Sequence, residues 1–275
     1  MDGRNLGQHE IFLSGLRVVV RSSCTKTSGY IRRHWAAATQ PIVQPEAMCC
    51  IEVIADDSPR ILVDGEIAWS GGPAEDLVAG FELLLYRVAL ARHEGRFAVF
   101  HAAGLVSDGA TFVFSGPSGA GKSSLALTAV RRGWKYFSDE FVVTDGQQVW
   151  GWPRAIRFDP PERGSRCPDY LAGLDDDNDD DALPSQGDTI TPYFPVPGEA
   201  LQRDARPAGE VRFVSINRSD GTSLERVPAS IGLKHWTEAS FFAPPMSLGA
   251  LVGLDRSWRA SWRQPDELLD LLEKI

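Results

Sequence analysis

Before residue 73 the apolar positions form short runs rich in β-branched residues. LRVVVR (Leu16–Arg21), CIEVIA (Cys50–Ala55) and RILVDGEIAW (Arg60–Trp69) each predict a strand, the last folding back at the turn signal Asp64-Gly65. The period then lengthens. In PAEDLVAGFELLLYRVALARHEG the apolar positions Leu77, Phe81, Leu84, Leu85 and Val88 recur at helical spacing. Acids precede them and Arg92, His93 and Gly95 follow, so a helix is expected over Ala74–His93. From Phe97 two apolar strands, Phe97–Leu105 and Thr111–Ser115, flank Asp108-Gly109. A helix over Lys122–Arg132 ends on Arg131-Arg132-Gly133, with basic residues in its last turn and glycine just beyond. A strand over Trp134–Phe137, a hairpin in FVVTDGQQVWGW, a strand over Val211–Arg218 and a short amphipathic helix in PDELLDLLEK complete the pattern. The stretch Asp159–Gly209 is rich in Pro, Gly and Asp and carries DDDNDDD (Asp175–Asp181). That run lacks the glycine and terminal glutamate of a calcium loop and reads as a solvated segment of repelling charges. The expected organisation is a small β-rich region over 1–72 and an α/β domain over 73–275, with 159–209 irregular.

Composition narrows the function classes. The chain has 275 residues, 43% of them apolar, enough to bury one large core or a large and a smaller one. A net charge of −9 and a pI near 5.1 argue against a nucleic-acid partner, which needs a basic face. Cys24, Cys49, Cys50 and Cys167 form no C-x-x-C pair and read as reduced thiols of a cytosolic protein. The start, MDGRNLGQHE, shows no basic-then-apolar leader, and charges or prolines break the apolar windows Leu77–Leu90 and Phe241–Leu254. Neither window reaches the roughly 20 apolar residues of a spanning helix, so a soluble, cytoplasmic protein without a membrane partner is expected.

The chemistry concentrates in GPSGAGKSS, Gly116 to Ser124, where Gly116, Gly121, Lys122 and Ser123 satisfy G-x-x-x-x-G-K-[ST]. An apolar strand before it and a helix after it supply the context in which such a loop binds phosphates. Glycines allow successive backbone N–H groups to turn toward anionic oxygens, and the helix N-terminus adds its positive dipole end. The expected nucleotide-binding residues are Gly116, Pro117, Ser118, Gly119, Ala120, Gly121, Lys122, Ser123 and Ser124. Lys122 is suited to the β- and γ-phosphates and Ser123 to Mg²⁺. A metal-orienting acid belongs at the end of a neighbouring strand, where Asp139 and Glu140 stand. The cofactors expected are therefore ATP and Mg²⁺, with Ser123, Asp139 and Glu140 as metal-binding residues. His101 lies on the apolar strand before the loop, where a lone histidine is more often a core side chain.

The segment FHAAGLVSDGATFVFSGPSGAGKSSLALTAVRRGWKYFSDEFVV resembles the catalytic core of the HPr kinase/phosphorylase family. His101, the loop from Gly116 to Ser123, Arg132-Gly133 and Asp139-Glu140 match the family's motifs. The intervals, 15 residues from His101 to Gly116 and 23 from Gly116 to Asp139, fit as well. The resemblance is specific over about 45 residues, looser over the C-terminal part and absent from the N-terminal region. It implies a P-loop kinase core of the HPr kinase and phosphoenolpyruvate carboxykinase type. Asp139 would be the catalytic carboxylate that takes the proton of an attacking serine hydroxyl, with His101 beside it and Lys122 on the γ-phosphate. The set HAA, GPSGAGKSS, RRGW, SDE and PRAIRF is closer still to HPr-kinase-related kinases found with ribosomal peptides, lasso peptides among them. That likeness implies a protein or precursor-peptide acceptor.

Three departures stand out. The acidic pair is Asp139-Glu140 rather than Asp-Asp, Ser124 replaces an acid common in the family, and Ala155 in PRAIRF replaces a glutamate while Arg157 is retained. The last bears on the family's second Mg²⁺ contact and on its phosphorylase activity. The leading expectation is a serine kinase acting on a protein or peptide. A small-molecule kinase and a nucleotide-binding regulatory module are the alternatives. Arg154, Arg157, Arg203 and Arg206 are candidates for holding phosphate or an acidic acceptor, or are solvated surface residues. The stretch Asp159–Gly209 is a candidate lid. The resembling family forms hexamers, but the N-terminal region differs here, so that assembly is not carried over and a homo-oligomer is left as an open alternative.

Overall fold

The structure is a computed structural model and describes residues 7–158, 193–242 and 256–275. It is a mixed α/β protein with five α-helices among the described residues, divided into two compact units. The described part of the first unit is 7–92, 157–158 and 193–195. That of the second is 93–156, 196–242 and 256–275. The acidic run Asp175–Asp181, Cys167 and most of the candidate lid lie outside the described residues.

In the first unit a five-stranded sheet runs in the order β1 (Gly7–Leu13), β2 (Leu16–Ser22), β3 (Ala47–Ile54), β4 (Arg60–Val63) and β5 (Glu66–Ser70). All neighbours are antiparallel except β2 and β3, which are joined through helix α1 (Thr25–His34). The expected turn at Asp64-Gly65 forms, with φ of 50° and 89°, the left-handed pair a tight hairpin requires. Helix α2 (Leu77–His93) follows a single 3₁₀ turn and groups, up to Arg92, with this unit rather than with the domain it was expected to open. It buries Leu77, Phe81 and Leu85, three positions read from its spacing.

Ten strands of the second unit share one sheet. Its main path is β13 (Arg206–Pro207), β10 (Gln148–Gly151), β9 (Phe141–Thr144), β6 (Ala98–Ser107), β7 (Ala110–Ser115), β14 (Val211–Arg218), β17 (Ser257–Trp262) and β15 (Ser223–Arg226). Strands β8 (Lys135–Ser138) and β16 (Ser240–Phe242) also pair with β6. The short strands β11 (Ile156–Arg157) and β12 (Tyr193–Phe194) flank the undescribed stretch. Helix α3 (Lys122–Arg131) follows β7, and helix α5 (Pro265–Leu272), which buries Leu268, Leu269 and Leu272, packs near it and near β15 and β17. Helix α4 (Ala229–Ala239) closes the opposite core, where Trp236 stacks on Phe213 at 4.1 Å and meets Phe100 edge-on at 4.3 Å.

Strand β6 positions the site through its registers. Strands β8 and β9 lie along the same edge of β6 as one interrupted strand: Val106 pairs with Lys135, Gly104 with Ser138, His101 with Phe141 and Ala98 with Thr144. The interruption falls on Asp139 and Glu140, opposite Ala102 and Ala103, and the Ala102 N–H donates to the Glu140 carbonyl at 3.1 Å. On the other edge Ala102 pairs with Ser115, the last residue before the glycine loop. One level of β6 therefore carries His101, the acidic pair and the loop's entry. Pairing faults of this kind re-aim side chains and recur beside functional sites.

Gly151 tests how tightly the acid-bearing strand is held. A Cβ there would come within 2.7 Å of the Phe137 carbonyl oxygen and 2.8 Å of Ser138 Cβ. Gly151→Ala is expected to cost about 1–3 kcal/mol of stability, the usual range for overpacking. Urea unfolding that left the midpoint unchanged would show that β8 and β10 have room to separate.

Candidate active site

The loop begins where β7 ends, and its glycines are required by close approach. A Cβ at Gly116 would lie 2.5 Å from the Ile216 carbonyl of neighbouring β14. Gly121 has φ of +90° and faces Trp262 so closely that a Cβ would come within 2.2 Å of its ring. The Trp262 indole N–H donates to the Ala120 carbonyl at 3.1 Å, tying the loop to β17. Arg218, the register partner of Trp262 on β14, lays its guanidinium over that ring at 4.5 Å and reaches the Ser124 hydroxyl at 3.3 Å. Helix α3 starts at Lys122 with no side-chain cap, so the amides of its first turn point into the loop. Lys122 spans the loop, its Nζ donating to the Gly116 carbonyl at 3.0 Å. Burial lowers its pKa, against the raising effect of Glu140 and Asp139.

Beside the loop, Asp139 has no exposed side-chain surface. Its Oδ2 accepts from the Ser123 hydroxyl at 2.9 Å and its Oδ1 from the Tyr136 hydroxyl at 3.0 Å, with Arg154 Nε 3.5 Å from Oδ1. Glu140 is 30% exposed, and its Oε2 accepts from the Arg154 guanidinium at 2.8 Å. Its Oε1 is 3.5 Å from Nε2 of His101, a ring that is 40% exposed. The two carboxylates diverge because the turn between β8 and β9 is set by the buried Ser138, whose Oγ accepts from the N–H groups of Glu140 and Phe141.

The expected residues thus converge: the loop, Lys122, Ser123, Asp139, Glu140 and His101 belong to one unit and one end of β6. The immediate ionic neighbour of His101 is Glu140, where the resemblance implied Asp139. Burial pushes the imidazole down to about 4, helped by the Lys122 and Arg154 charges and opposed by Asp139. Arg154 is drawn into the site, with its side chain only 6% exposed. The other arginines go elsewhere. Arg157 binds the half-buried Glu82 of the first unit at 2.5 Å, a carboxylate that also accepts from Tyr30 and Tyr86. Arg206 donates to Gly109 and Thr111 at the far end of the β6–β7 hairpin, and Arg203 is exposed. Tyr136, Arg218 and Trp262 were not anticipated. Their positions carry no motif, and only strand registers bring them to the loop.

Among the described residues no group of three or more His, Cys, Asp and Glu side chains forms a metal cluster, and no helix is long and apolar enough to cross a membrane. A hydroxyl and a carboxylate 2.9 Å apart are a donor pair of the kind Mg²⁺ takes when phosphates and water supply its other oxygens. No protein-family model matches this chain, and no curated protein matches it either.

The lowered imidazole has a measurable consequence. With a folded-state value of about 4 against the ordinary 6.5, the folded protein prefers neutral His101. Nothing is then contributed above pH 6.5, and stability falls as pH drops from 6.5 to about 4. In an NMR titration the His101 ring is expected to remain neutral at pH 5.5, and His101→Asn should lose less stability than the wild type over that window. A ring midpoint near 6.5 would show that the site does not desolvate it.

Proposed function

We propose that this protein is an ATP-dependent kinase with a P-loop core. It transfers the γ-phosphate to a hydroxyl, a serine of a small protein or ribosomal precursor peptide. The observation that carries the reading is the hydrogen bond from Ser123 Oγ to Asp139 Oδ2 at 2.9 Å, at the start of the helix that follows a complete glycine loop. A loop hydroxyl coupled to a carboxylate just past the end of a nearby strand is the arrangement that holds the metal of a nucleoside triphosphate. Backbone amides of Gly119–Ser124 would cradle the phosphates, and Lys122 would exchange the Gly116 carbonyl for a γ-phosphate oxygen. Mg²⁺ entering with ATP would be held through Ser123 and Asp139, where it supplies charge neutralisation. The serine and peptide specificity rests on the resemblance over His101, the loop and the acidic pair.

A second reading, a nucleotide-binding regulatory module with little turnover, is supported by Ala155. It is buried where the resembling family carries a carboxylate, which removes one acid from the neighbourhood of Arg154. One experiment separates the two. Incubation with MgATP and serine-containing peptides, including those encoded beside the gene, is expected to add one phosphate to an acceptor, seen by mass spectrometry. Lys122→Ala should weaken nucleotide binding at least about tenfold, equivalent to about 1.4 kcal/mol. Tight ATP binding with no phosphorylated acceptor and no ADP would favour the regulatory module.

A further inference from the structure

We infer that Phe241 is a specificity-determining residue of this site: its ring receives an apolar side chain of the acceptor, two positions along an extended peptide from the accepting serine. The inference rests on the kinase reading above and names what the site recognises beside the hydroxyl.

Strand β16 pairs antiparallel with the first half of β6, with Ser240 opposite Phe100 and Phe242 opposite Val99. Adjacent residues of β6 thus meet residues two apart on β16, and Phe241 is the extra residue of a bulge. A bulge takes its side chain out of the regular alternation and re-aims it. Phe241 lies by His101 as a result. Phe141, the register partner of His101, stacks on it at 5.4 Å, and the His101 ring is 6.2 Å away. Phe141 is itself buried and lies 4.5 Å from the Trp152 ring, so Phe241 rests on an aromatic floor.

Phe241 is nonetheless 48% exposed. A single exposed apolar residue is ordinary on a protein surface, and it is position that makes this one informative. The neighbouring His101 is 40% exposed and stands 3.5 Å from Glu140, at the acidic pair to which the accepting hydroxyl must come. The nucleotide base is the other apolar group in the reaction. It joins the triphosphate through the α-phosphate, at the opposite end from the γ-phosphate that Lys122 and the metal-binding residues serve. The acceptor is the component that arrives at this end.

Spacing then says which acceptor residue meets the ring. An extended chain rises about 3.3 Å per residue and alternates its side chains, so positions two apart share a face at about 6.6 Å. The His101 and Phe241 rings are 6.2 Å apart. A serine held at His101 and the acidic pair therefore sets the residue two before or two after it over Phe241, with its immediate neighbours turned away. An aromatic or large aliphatic side chain gains by covering the ring, whereas a carboxylate meets the negative face of the π-system. Free serine has no atoms that reach so far, which is what separates a peptide acceptor from a small-molecule one here.

The test presents MgATP and a serine-centred peptide library, degenerate from three residues before the serine to three after, to the wild type and to Phe241→Ala, Phe241→Leu and Phe241→Lys. Sequencing of the phosphorylated peptides is expected to show Phe, Tyr or Leu enriched at one of the two positions two residues from the serine. A single peptide with Phe there should have a kcat/KM about tenfold above its Ser counterpart, the size of an aromatic pair with its buried area. Phe241→Ala should lose that advantage through KM, with kcat and MgATP affinity within about twofold of wild type. Phe241→Leu should keep an aliphatic preference and Phe241→Lys should transfer it to Asp or Glu, and these two carry the comparison should the Ala variant fail to fold. A wild type without preference at either position overturns the inference, as does a preference that Phe241→Ala retains. Loss of MgATP affinity in Phe241→Ala also overturns it, by putting the ring on the nucleotide, and so does free serine phosphorylated as efficiently as any peptide. A wild type that binds MgATP and phosphorylates neither the library nor free serine instead sinks the kinase reading, and the inference with it.

Discussion

The site depends on a single strand being shared. Strand β6 pairs with β7 and β16 along one edge and with β8 and β9 along the other, so its registers fix the glycine loop against the acidic pair. A one-residue slip of β7 would move Ser115 off Ala102 and turn every side chain of that strand to the opposite face. The near-complete burial of β6, with Ala102, Ala103, Val99, Phe100 and Leu105 at 1% exposure or less, opposes any slip. His101 is the exception between Ala98 and Val106. It is half-exposed because it lies where pairing passes from one neighbour to the next, and that is the place where the loop begins.

The second half of the sheet serves the loop from behind. Strands β7, β14 and β17 run parallel, and their C-terminal ends gather Ser115, Arg218 and Trp262 at the start of α3. Trp262 fills the space that Gly121 leaves, and its indole N–H donates to a loop carbonyl. Arg218 covers the indole with a cation whose far end reaches Ser124. The loop's shape is thus an outcome of packing by a tryptophan about 140 residues away as much as of its own glycines, as the separation of Trp262 from Ala120 shows.

Much of this was legible in the sequence where local signals are strong. The turns at Asp64-Gly65 and Asp108-Gly109 form, and the helix after the loop spans Lys122–Arg131 as its apolar and capping residues indicate. Helix α1 was not legible. TKTSGYIRRH contains two threonines, a serine and a glycine, all poor helix formers, and it is held by burial of Tyr30 and Ile31 rather than by propensity. Strands β15, β16 and β17 and helix α4 were missed for a related reason. Their pairing partners are far away in the chain, and Ser257–Trp262 alternates too irregularly to announce a strand buried at Ser257, Ala260 and Trp262. In the site, the residue types were readable and their directions were not. Asp139 and Glu140 are adjacent in sequence, and only the Ser138 turn decides which one points inward.

That division also explains the charge arrangement. Asp139 and Glu140 bring two negative charges against the cations of Arg154 and Lys122, while burial keeps His101 neutral. Arg154, buried at 6% exposure, is committed to the acidic pair, because an uncompensated buried carboxylate is costly. Lys122 is held differently: its partner is the Gly116 carbonyl, a neutral acceptor that a phosphate oxygen outbids. On the phosphoryl-transfer reading, then, the two cations have separate tasks. Arg154 keeps the acids in place whether or not nucleotide is bound, and Lys122 is the cation that changes partner when a triphosphate enters the loop.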